Sequence, residues 1–232
     1  MRRWFGNLAF VALVLAMTPS IVLGPGLRPE NSSPLTIYVS LEQRRLWVVT
    51  SDADTLRSAR VAVGRGNVIS YAGRTWRFKT PTGVRTVIAK DADPVWIPPD
   101  WFYIEVAQEY GLAVRSLPAT GIVRLRDGTA LTMRDNVAGV IGTDGVFRDL
   151  PTDEHLVFDG ALFVPPLGSR NRRVKGELGR YRLDLGDGFY LHGTPHRSSV
   201  GRAATHGCLR LHDDDIEWLY EHVPVGTRVY IY

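Results

Sequence analysis

The 232-residue chain contains a single cysteine, Cys208, which lies in the segment 191–211 together with three of the six histidines. A thiol attacks a carbonyl only as the thiolate, so it needs a neighbouring base or positive charge. An imidazole within hydrogen-bond distance can take the thiol proton and later return it to a leaving amine. We therefore predict that Cys208 is a nucleophile and that His192, sixteen positions earlier, is its base.

The residues next to Cys208 suggest how such a site would be completed. Gly207 allows a sharp turn that exposes the sulfur, and the N–H groups of Gly207 and Cys208 are then available to hold an oxyanion. Arg210 shares a strand face with Cys208, where it could hold a substrate carboxylate or form a structural ion pair. His206 either lines the oxyanion site or hydrogen-bonds the turn. The Thr205 hydroxyl either reaches the site or bonds its own backbone.

Two other interpretations of this segment remain open from the residues alone. A lone cysteine is often an inert core thiol, because free cysteine is among the most buried residue types. A zinc peptidase or amidase would also find ligands here, although their spacing matches no HExxH motif. The candidate ligands would be His192, His196, His206, Cys208 and His212. We expect no metal and no cofactor, and we expect His196 and His212 to be surface or capping residues.

Short strands and frequent turns dominate the rest of the chain. Apolar and polar residues alternate over 35–40, and a second apolar run at 46–50 completes a hairpin. Further strands are predicted at 60–63 and 84–89, with tight turns at 64–67 and 80–83. A later hairpin pairs 181–185 with 189–192, which places His192 at the end of a strand. The last strand is predicted at 228–232.

One convincing helix is predicted near the C-terminal end, over 213–223, where apolar residues recur at helical spacing behind three aspartates. Residues 96–166 differ in character: one short helix at 102–110 precedes several small strands and hairpins. We interpret this part as a β-rich insertion or a small subdomain. The basic segment 170–182 is either a solvated loop or a lip that meets substrate carboxylates. The predicted fold is thus mainly β, a sandwich or barrel.

The first 34 residues predict export. Two arginines precede an apolar run at 8–17, which is short for a membrane span and typical of a signal segment. Residues 1–23 are therefore a signal peptide or an uncleaved membrane anchor, and 24–34 are a linker. The net charge of +4 suits an anionic wall polymer or membrane surface. It is too diffuse to indicate nucleic acid binding.

The motif around the cysteine resembles the signature of the L,D-transpeptidases, the YkuD-like family. That signature is a histidine followed at moderate distance by Ser or Thr, then His-Gly-Cys, an apolar residue and Asn or Arg. His192 and the run 205–210, THGCLR, fill those positions. The turn at 80–83, Pro166-Leu167-Gly168 and Val200-Gly201 also match. The resemblance covers roughly 35–232, interrupted by the central elaboration at 96–166.

The resemblance implies a β-sandwich-like catalytic domain on the outer side of the cytoplasmic membrane. It implies that Cys208 attacks the peptide stem of peptidoglycan at its third residue, releases D-alanine and forms a thioester. The acceptor is then an amine of a second stem, a lipoprotein lysine or water. It also implies that carbapenems acylate the cysteine. The alternative to an enzyme is a non-catalytic module that binds the cell wall.

One position departs from the family pattern. Some members carry a serine directly after the base histidine, where it could orient the ring, whereas this chain has Gly193. A glycine has no side chain with which to hold the imidazole. We therefore expect a backbone carbonyl to fix the tautomer of His192.

Overall fold

The structure is a computed structural model that describes residues 34–232, so the predicted signal segment and nearly all of the predicted linker lie outside the described residues. The first strands are β1 (Thr36–Ser40), β2 (Arg45–Val49), β3 (Thr55–Arg60), β4 (Val63–Gly64), β5 (Val68–Tyr71), β6 (Arg74–Arg77), β7 (Gly83–Thr86), β8 (Ala89–Ala92) and β9 (Val95–Trp96). The middle contains α1 (Asp100–Glu109), β10 (Ala113–Ser116), β11 (Ile122–Arg124), β12 (Ala130–Arg134), β13 (Val137–Ile141), β14 (Phe147–Asp149), β15 (Leu156–Phe158) and β16 (Ala161–Val164). The last part contains β17 (Val174–Lys175), β18 (Tyr181–Asp184), β19 (Tyr190–His192), β20 (Ala203–Thr205), β21 (Leu209–Arg210), α2 (Asp213–His222) and β22 (Arg228–Ile231), with single 3₁₀ turns at Arg170–Arg172 and Arg197–Ser199.

Two sheets and α2 enclose the main core. The first sheet has the order β3-β2-β1-β22-β7, and the second has the order β21-β19-β18-β8. Alternating residues of β1 and β22, such as Ile37 and Val229, meet Leu191 and Leu209 of the second sheet and Ile216 of α2 in one buried cluster. Burial of such aliphatic side chains is the main stabilising term of the domain. The fold is therefore mainly β and sandwich-like, as the alternation predicts.

The central segment forms two small sheets beside the main core. β11–β14 form one antiparallel sheet, while β10, β16 and β15 form the other, with α1 packed against β16 and β10. These elements bury their own apolar clusters around Phe163 and around Tyr103. Residues 34–232 nevertheless belong to one compact unit. The segment is β-rich with one short helix, as predicted.

Two local predictions differ from the structure. A third strand was expected at 60–63, but β3 covers Thr55–Arg60 and β4 is a separate short strand. Most residues of β3 are exposed, so its outer face lacks the apolar alternation that would identify it. The expected tight turn at 80–83 is an extended connection into β7, in which Thr80 is buried and accepts a hydrogen bond from the Gly64 N–H at 2.8 Å.

Neither helix of residues 34–232 is long and apolar enough to cross a membrane.

Candidate functional site

The parallel pairing of β19 with β21 brings the two predicted catalytic residues to one face of the second sheet. Leu191 pairs with Leu209, and both side chains lie in the core. Because side chains alternate along a strand, His192 and Cys208 leave the sheet on the opposite face. Both line one cleft of about 770 Å³. Burial of Leu191 and Leu209 therefore places the neighbouring His192 and Cys208 in the same cleft.

The segment before the cysteine is held by Thr205, which is buried. Its hydroxyl donates to the Cys208 carbonyl at 2.7 Å and accepts from the Gly207 N–H at 3.1 Å. The threonine thus bonds its own backbone, one of the two roles left open by the sequence. The Gly207 N–H, which we expected to be free for an oxyanion, is already used. The oxyanion prediction therefore depends on the N–H of Cys208.

Gly207 is a position where the backbone requires glycine. Its φ is +136°, outside the range that residues with a Cβ readily adopt. A Cβ added there would lie 2.9 Å from Phe189 Cε1 and 3.4 Å from the Lys79 carbonyl oxygen. The glycine lets the chain turn tightly beneath Cys208, as expected from its place before that residue.

A backbone carbonyl fixes the tautomer of His192, as expected from the absence of a serine. His192 Nδ1 lies 2.6 Å from the carbonyl oxygen of Gly193. A carbonyl can only accept, so Nδ1 carries the hydrogen in the neutral ring. A second backbone hydrogen bond, with Leu178, also acts on the ring. A Cβ at Gly193 would lie 3.0 Å from Asp213 Oδ1 and 3.2 Å from Gly179 Cα, so a side chain there would require these neighbours to move by a few tenths of an ångström.

Burial keeps both reactive groups in their neutral forms at neutral pH. Desolvation, followed by the nearby Arg210 charge, lowers the pKa of His192 to about 3. Desolvation also raises the pKa of Cys208 to about 11, although a hydrogen bond from the Tyr190 backbone and the charge of Arg210 oppose it. At pH 7 the cleft therefore contains a neutral thiol and a neutral imidazole, and any attack by the sulfur would require the thiol to lose its proton.

The thiol of Cys208 is accessible from the cleft. The residue is partly exposed, and its Sγ donates to the carbonyl oxygen of Gly188 at 3.8 Å. This contact is long and weak, so it leaves the sulfur without a strong hydrogen-bond partner. A sealed core thiol would have neither the exposure nor the cleft.

His206 belongs to a polar network that the sequence did not predict. Its Nε2 lies 2.7 Å from Glu105 Oε2 and 2.8 Å from Arg65 Nη2, and Arg65 also pairs with the other oxygen of Glu105. The ring stacks on Trp101 at 4.1 Å and meets Phe78 edge-on at 4.5 Å. Desolvation lowers the pKa of His206, and the hydrogen bond to Glu105 opposes that effect. His206 thus links the loop of the nucleophile to α1.

Arg210 points into the cleft with an incomplete set of partners. Its Nη2 lies 3.3 Å from Glu177 Oε1, while its buried Nε has no hydrogen-bond partner among residues 34–232. The other oxygen of Glu177 lies 3.4 Å from His196 Nε2. His196 lies at the rim of the cleft, and His212 precedes α2 with its Nδ1 buried. The ion-pair role of Arg210 is thus present, and its guanidinium keeps an unused donor.

Aromatic residues form much of the cleft wall, and most were not assigned to a site. Trp101, from the first turn of α1, lies beside Trp96 and Phe102 with ring centroids 6.3 Å and 6.5 Å away. The central segment therefore contributes a wall of the site. The only hint in the sequence is the aromatic and proline-rich run at 96–101. Trp76, Phe189 and Tyr190 line other parts of the cleft.

The basic segment 170–182 divides between two roles. Arg172 is buried and donates to the Pro98 carbonyl at 2.8 Å, to the Pro165 carbonyl at 2.9 Å and to Asp100 at 2.6 Å. It anchors the central segment and is not a solvated or substrate-facing residue. Arg182 lines the cleft and pairs with Asp91 at 2.7 Å.

The proposed zinc ligands do not converge. Among residues 34–232, no group of three or more His, Cys, Asp or Glu side chains is arranged to hold a metal ion.

Comparison with known sequences shows a family. The family described as the L,D-transpeptidase catalytic domain (YkuD) matches residues 34–231. A probable L,D-transpeptidase of Salmonella typhimurium, ErfK/SrfK, is 34% identical over 87 residues, which are 32% of this chain and 28% of that protein. The putative L,D-transpeptidase YkuD of Bacillus subtilis is 42% identical over 64 residues, 27% of this chain and 39% of that protein. These alignments span less than half of each relative.

Solved structures give weaker matches. L,D-transpeptidase 3 of Mycobacterium tuberculosis, with a faropenem-derived adduct, has a TM-score of 0.44 at 17% identity, covering 85% of this chain and 59% of that one. The L,D-transpeptidase of Xylanimonas cellulosilytica has a TM-score of 0.42 at 19% identity, covering 88% of this chain and 63% of that one. The assignment depends on the family match over nearly all described residues: the chain belongs to the L,D-transpeptidase (YkuD) catalytic domain family.

Proposed function

We propose that this chain is a peptidoglycan L,D-transpeptidase in which Cys208 is the nucleophile and His192 is the general base. One observation carries the proposal. The pairing of β19 with β21 places a partly exposed thiol and a buried imidazole, whose Nδ1 is held by the Gly193 carbonyl, on one face of a cleft. This is the constellation that acyl transfer through a thioester requires.

The chemistry follows from the neutral state of both groups. Nε2 of His192 takes the Sγ proton as sulfur attacks the carbonyl carbon of the third stem residue. Collapse of the tetrahedral intermediate breaks the C–N bond, and the imidazolium gives that proton to the leaving D-alanine amine. An incoming amine then attacks the thioester, loses a proton through His192 and releases the thiol. Water in place of the amine would give hydrolysis.

The supporting roles are assigned by position. The N–H of Cys208 is the candidate donor to the oxyanion, and His206 with Thr205 holds the loop that presents it. Arg210, with its unused Nε, is the candidate clamp for a substrate carboxylate. The aromatic wall from α1 and the strands beside it offers apolar surface to the peptide.

The site of action is proposed from the leader. The charged and apolar first 23 residues favour export to the outer side of the cytoplasmic membrane, where peptidoglycan lies. Membrane contact would be made only through that segment. The basic balance of the chain suits the anionic wall.

Incubation with purified disaccharide-tetrapeptide, with products identified by mass spectrometry, tests the reaction. Loss of D-alanine with dimer formation means transpeptidation, and loss without dimer means hydrolysis. Addition of a lipoprotein fragment with a free lysine tests the alternative acceptor. His192→Gln should lower the rate by roughly 10²- to 10⁴-fold. His222→Gln is the matched control, because His222 is an exposed histidine of α2 outside the cleft.

Two further measurements separate the rivals. Intact mass after carbapenem treatment should show one adduct, absent in Cys208→Ala, whereas a wall-binding module would give none and keep its wall retention in that variant. Activity should survive a strong chelator. Loss on chelation with recovery on adding zinc would favour the metal-dependent rival.

A further inference from the structure

Glu177 occupies an unusual place in the cleft, because it meets Arg210, a cleft arginine whose buried Nε has no hydrogen-bond partner among residues 34–232. Its carboxylate lies 3.3 Å from Arg210 Nη2 and 3.4 Å from His196 Nε2. Both distances are longer than those of a strong charge-assisted hydrogen bond. Glu177 therefore holds Arg210 loosely, at one donor only.

The free donor of Arg210 defines what could bind better. Nε and Nη2 lie on one edge of the planar guanidinium, and that edge matches the two oxygens of a carboxylate. In the structure Nη2 is shared with Glu177 and Nε is buried without a partner. A buried N–H without an acceptor is costly, so a ligand that satisfies both donors gains over the internal contact.

The position of Arg210 relates this edge to the reaction. Arg210 lies two residues after Cys208, and its Cα pairs with that of His192. Two residues along a strand span roughly 6.5 Å. In a stem that ends one residue beyond the scissile bond, the terminal carboxylate lies one residue from the attacked carbonyl, within the reach of an arginine side chain.

We propose that Glu177 is a placeholder for a substrate carboxylate: it occupies Arg210 in the empty site and is displaced when the stem binds. This inference rests on the proposed function. The displaced carboxylate keeps a partner, because its other oxygen already faces His196. Glu177 lies between Gly176 and Gly179, both at positive φ, in a tight turn closed by a 3.0 Å hydrogen bond. Because a ligand must displace the Glu177 carboxylate from Arg210, the cleft selects peptides that have a free carboxylate next to the scissile bond.

Peptide binding to the inactive Cys208→Ala protein, measured by calorimetry, tests this role. Glu177→Gln should tighten binding of the free tetrapeptide by roughly threefold to tenfold, because a half-buried competing charge is removed. A tetrapeptide amidated at its C-terminus should show no gain if Arg210 holds the terminal carboxylate. Where the third residue of the stem is a diamino acid with a second carboxyl group, that group is the other candidate ligand. A tetrapeptide amidated there should then bind no more tightly to Glu177→Gln.

Matched variants separate the local contact from general charge. Glu221→Gln removes an exposed carboxylate of α2 that lies outside the cleft, and it should leave the affinity unchanged. In an Arg210→Gln background, Glu177→Gln should have no effect. Unchanged or weaker binding of the free tetrapeptide by Glu177→Gln would overturn the placeholder role. Failure of every folded variant to bind any tetrapeptide would overturn the proposed function and this role with it.

Discussion

Alkylation of Cys208 measures directly how its thiol is protonated before attack. Burial raises the pKa of this thiol from 9.0 to about 11. At pH 8 the thiolate fraction is then about one in a thousand, against about one in ten for an unperturbed thiol. A more basic thiolate is also a better nucleophile, which offsets about six- to tenfold of that hundredfold deficit. Iodoacetamide should therefore react roughly tenfold more slowly with folded protein than with the urea-unfolded chain.

The pH profile separates two mechanisms. The alkylation rate of the folded protein should rise about tenfold per pH unit through the range 7 to 10, without a plateau, because the thiolate forms only near pH 11. Carbapenem acylation should instead stay nearly flat between about pH 5 and 9. Over that range His192, with its pKa lowered to about 3, is neutral and accepts the thiol proton during attack.

One result would refute this reasoning. An alkylation rate that rises between pH 5 and 7 and then stays constant would show a preformed thiolate–imidazolium pair. His192→Gln supplies the control, since it should slow acylation by roughly 10²- to 10⁴-fold while leaving the slope of alkylation unchanged.

Two further predictions concern stability and the loop of the nucleophile. Because the pKa of His192 is lower in the folded than in the unfolded state, the unfolded chain binds the proton first as pH falls, and stability is lost from about pH 6.5 towards 3. The free energy of unfolding, measured by chemical denaturation, should fall with pH up to about 1.4 kcal/mol per pH unit more steeply than in His192→Gln. Equal pH slopes in the two proteins would contradict this prediction. Glu105→Ala removes the partner of His206 and Arg65 and should slow carbapenem acylation. It should also lower the free energy of unfolding by about 1–2 kcal/mol, a modest value because these groups are about a quarter exposed and solvent screens their charges. Glu109→Gln, exposed at the end of the same helix, should change neither the melting temperature nor the acylation rate.

The main core and the placement of His192 and Cys208 in one cleft were predictable for the same reason. The apolar alternation of β1 and β22 and the helical spacing of α2 are strong signals, because each element buries one face. The hairpin of β18 and β19 then leaves His192 at a strand end. The alternation also fixes which face each neighbour takes, so Leu191 and Leu209 in the core place His192 and Cys208 in the cleft.

The contacts between distant segments were not predictable. Glu105 and His206 are 101 positions apart. Nothing in the local pattern of α1 indicates that Glu105 contacts the loop before Cys208. Glu177 is the one acid in the basic segment 170–182. That segment was interpreted from its net positive charge, so the contact between Glu177 and Arg210 was not predicted. Gly207 shows a different limit, because its glycine predicted the turn but not that Thr205 would use its N–H.

The order of strands in the first sheet has a consequence for how the chain acquires its structure. β22, the last strand in sequence, lies between β1 and β7, and Tyr232 exchanges backbone hydrogen bonds with Val39 and Leu41. Until β22 has been synthesised, β1 and β7 have no neighbour between them, and the apolar side chains of β1 lack the strand that packs beside them. Pairings this distant are slow to form and prone to aggregation. Synthesis of this domain should therefore depend on protection of its nascent amino-terminal half.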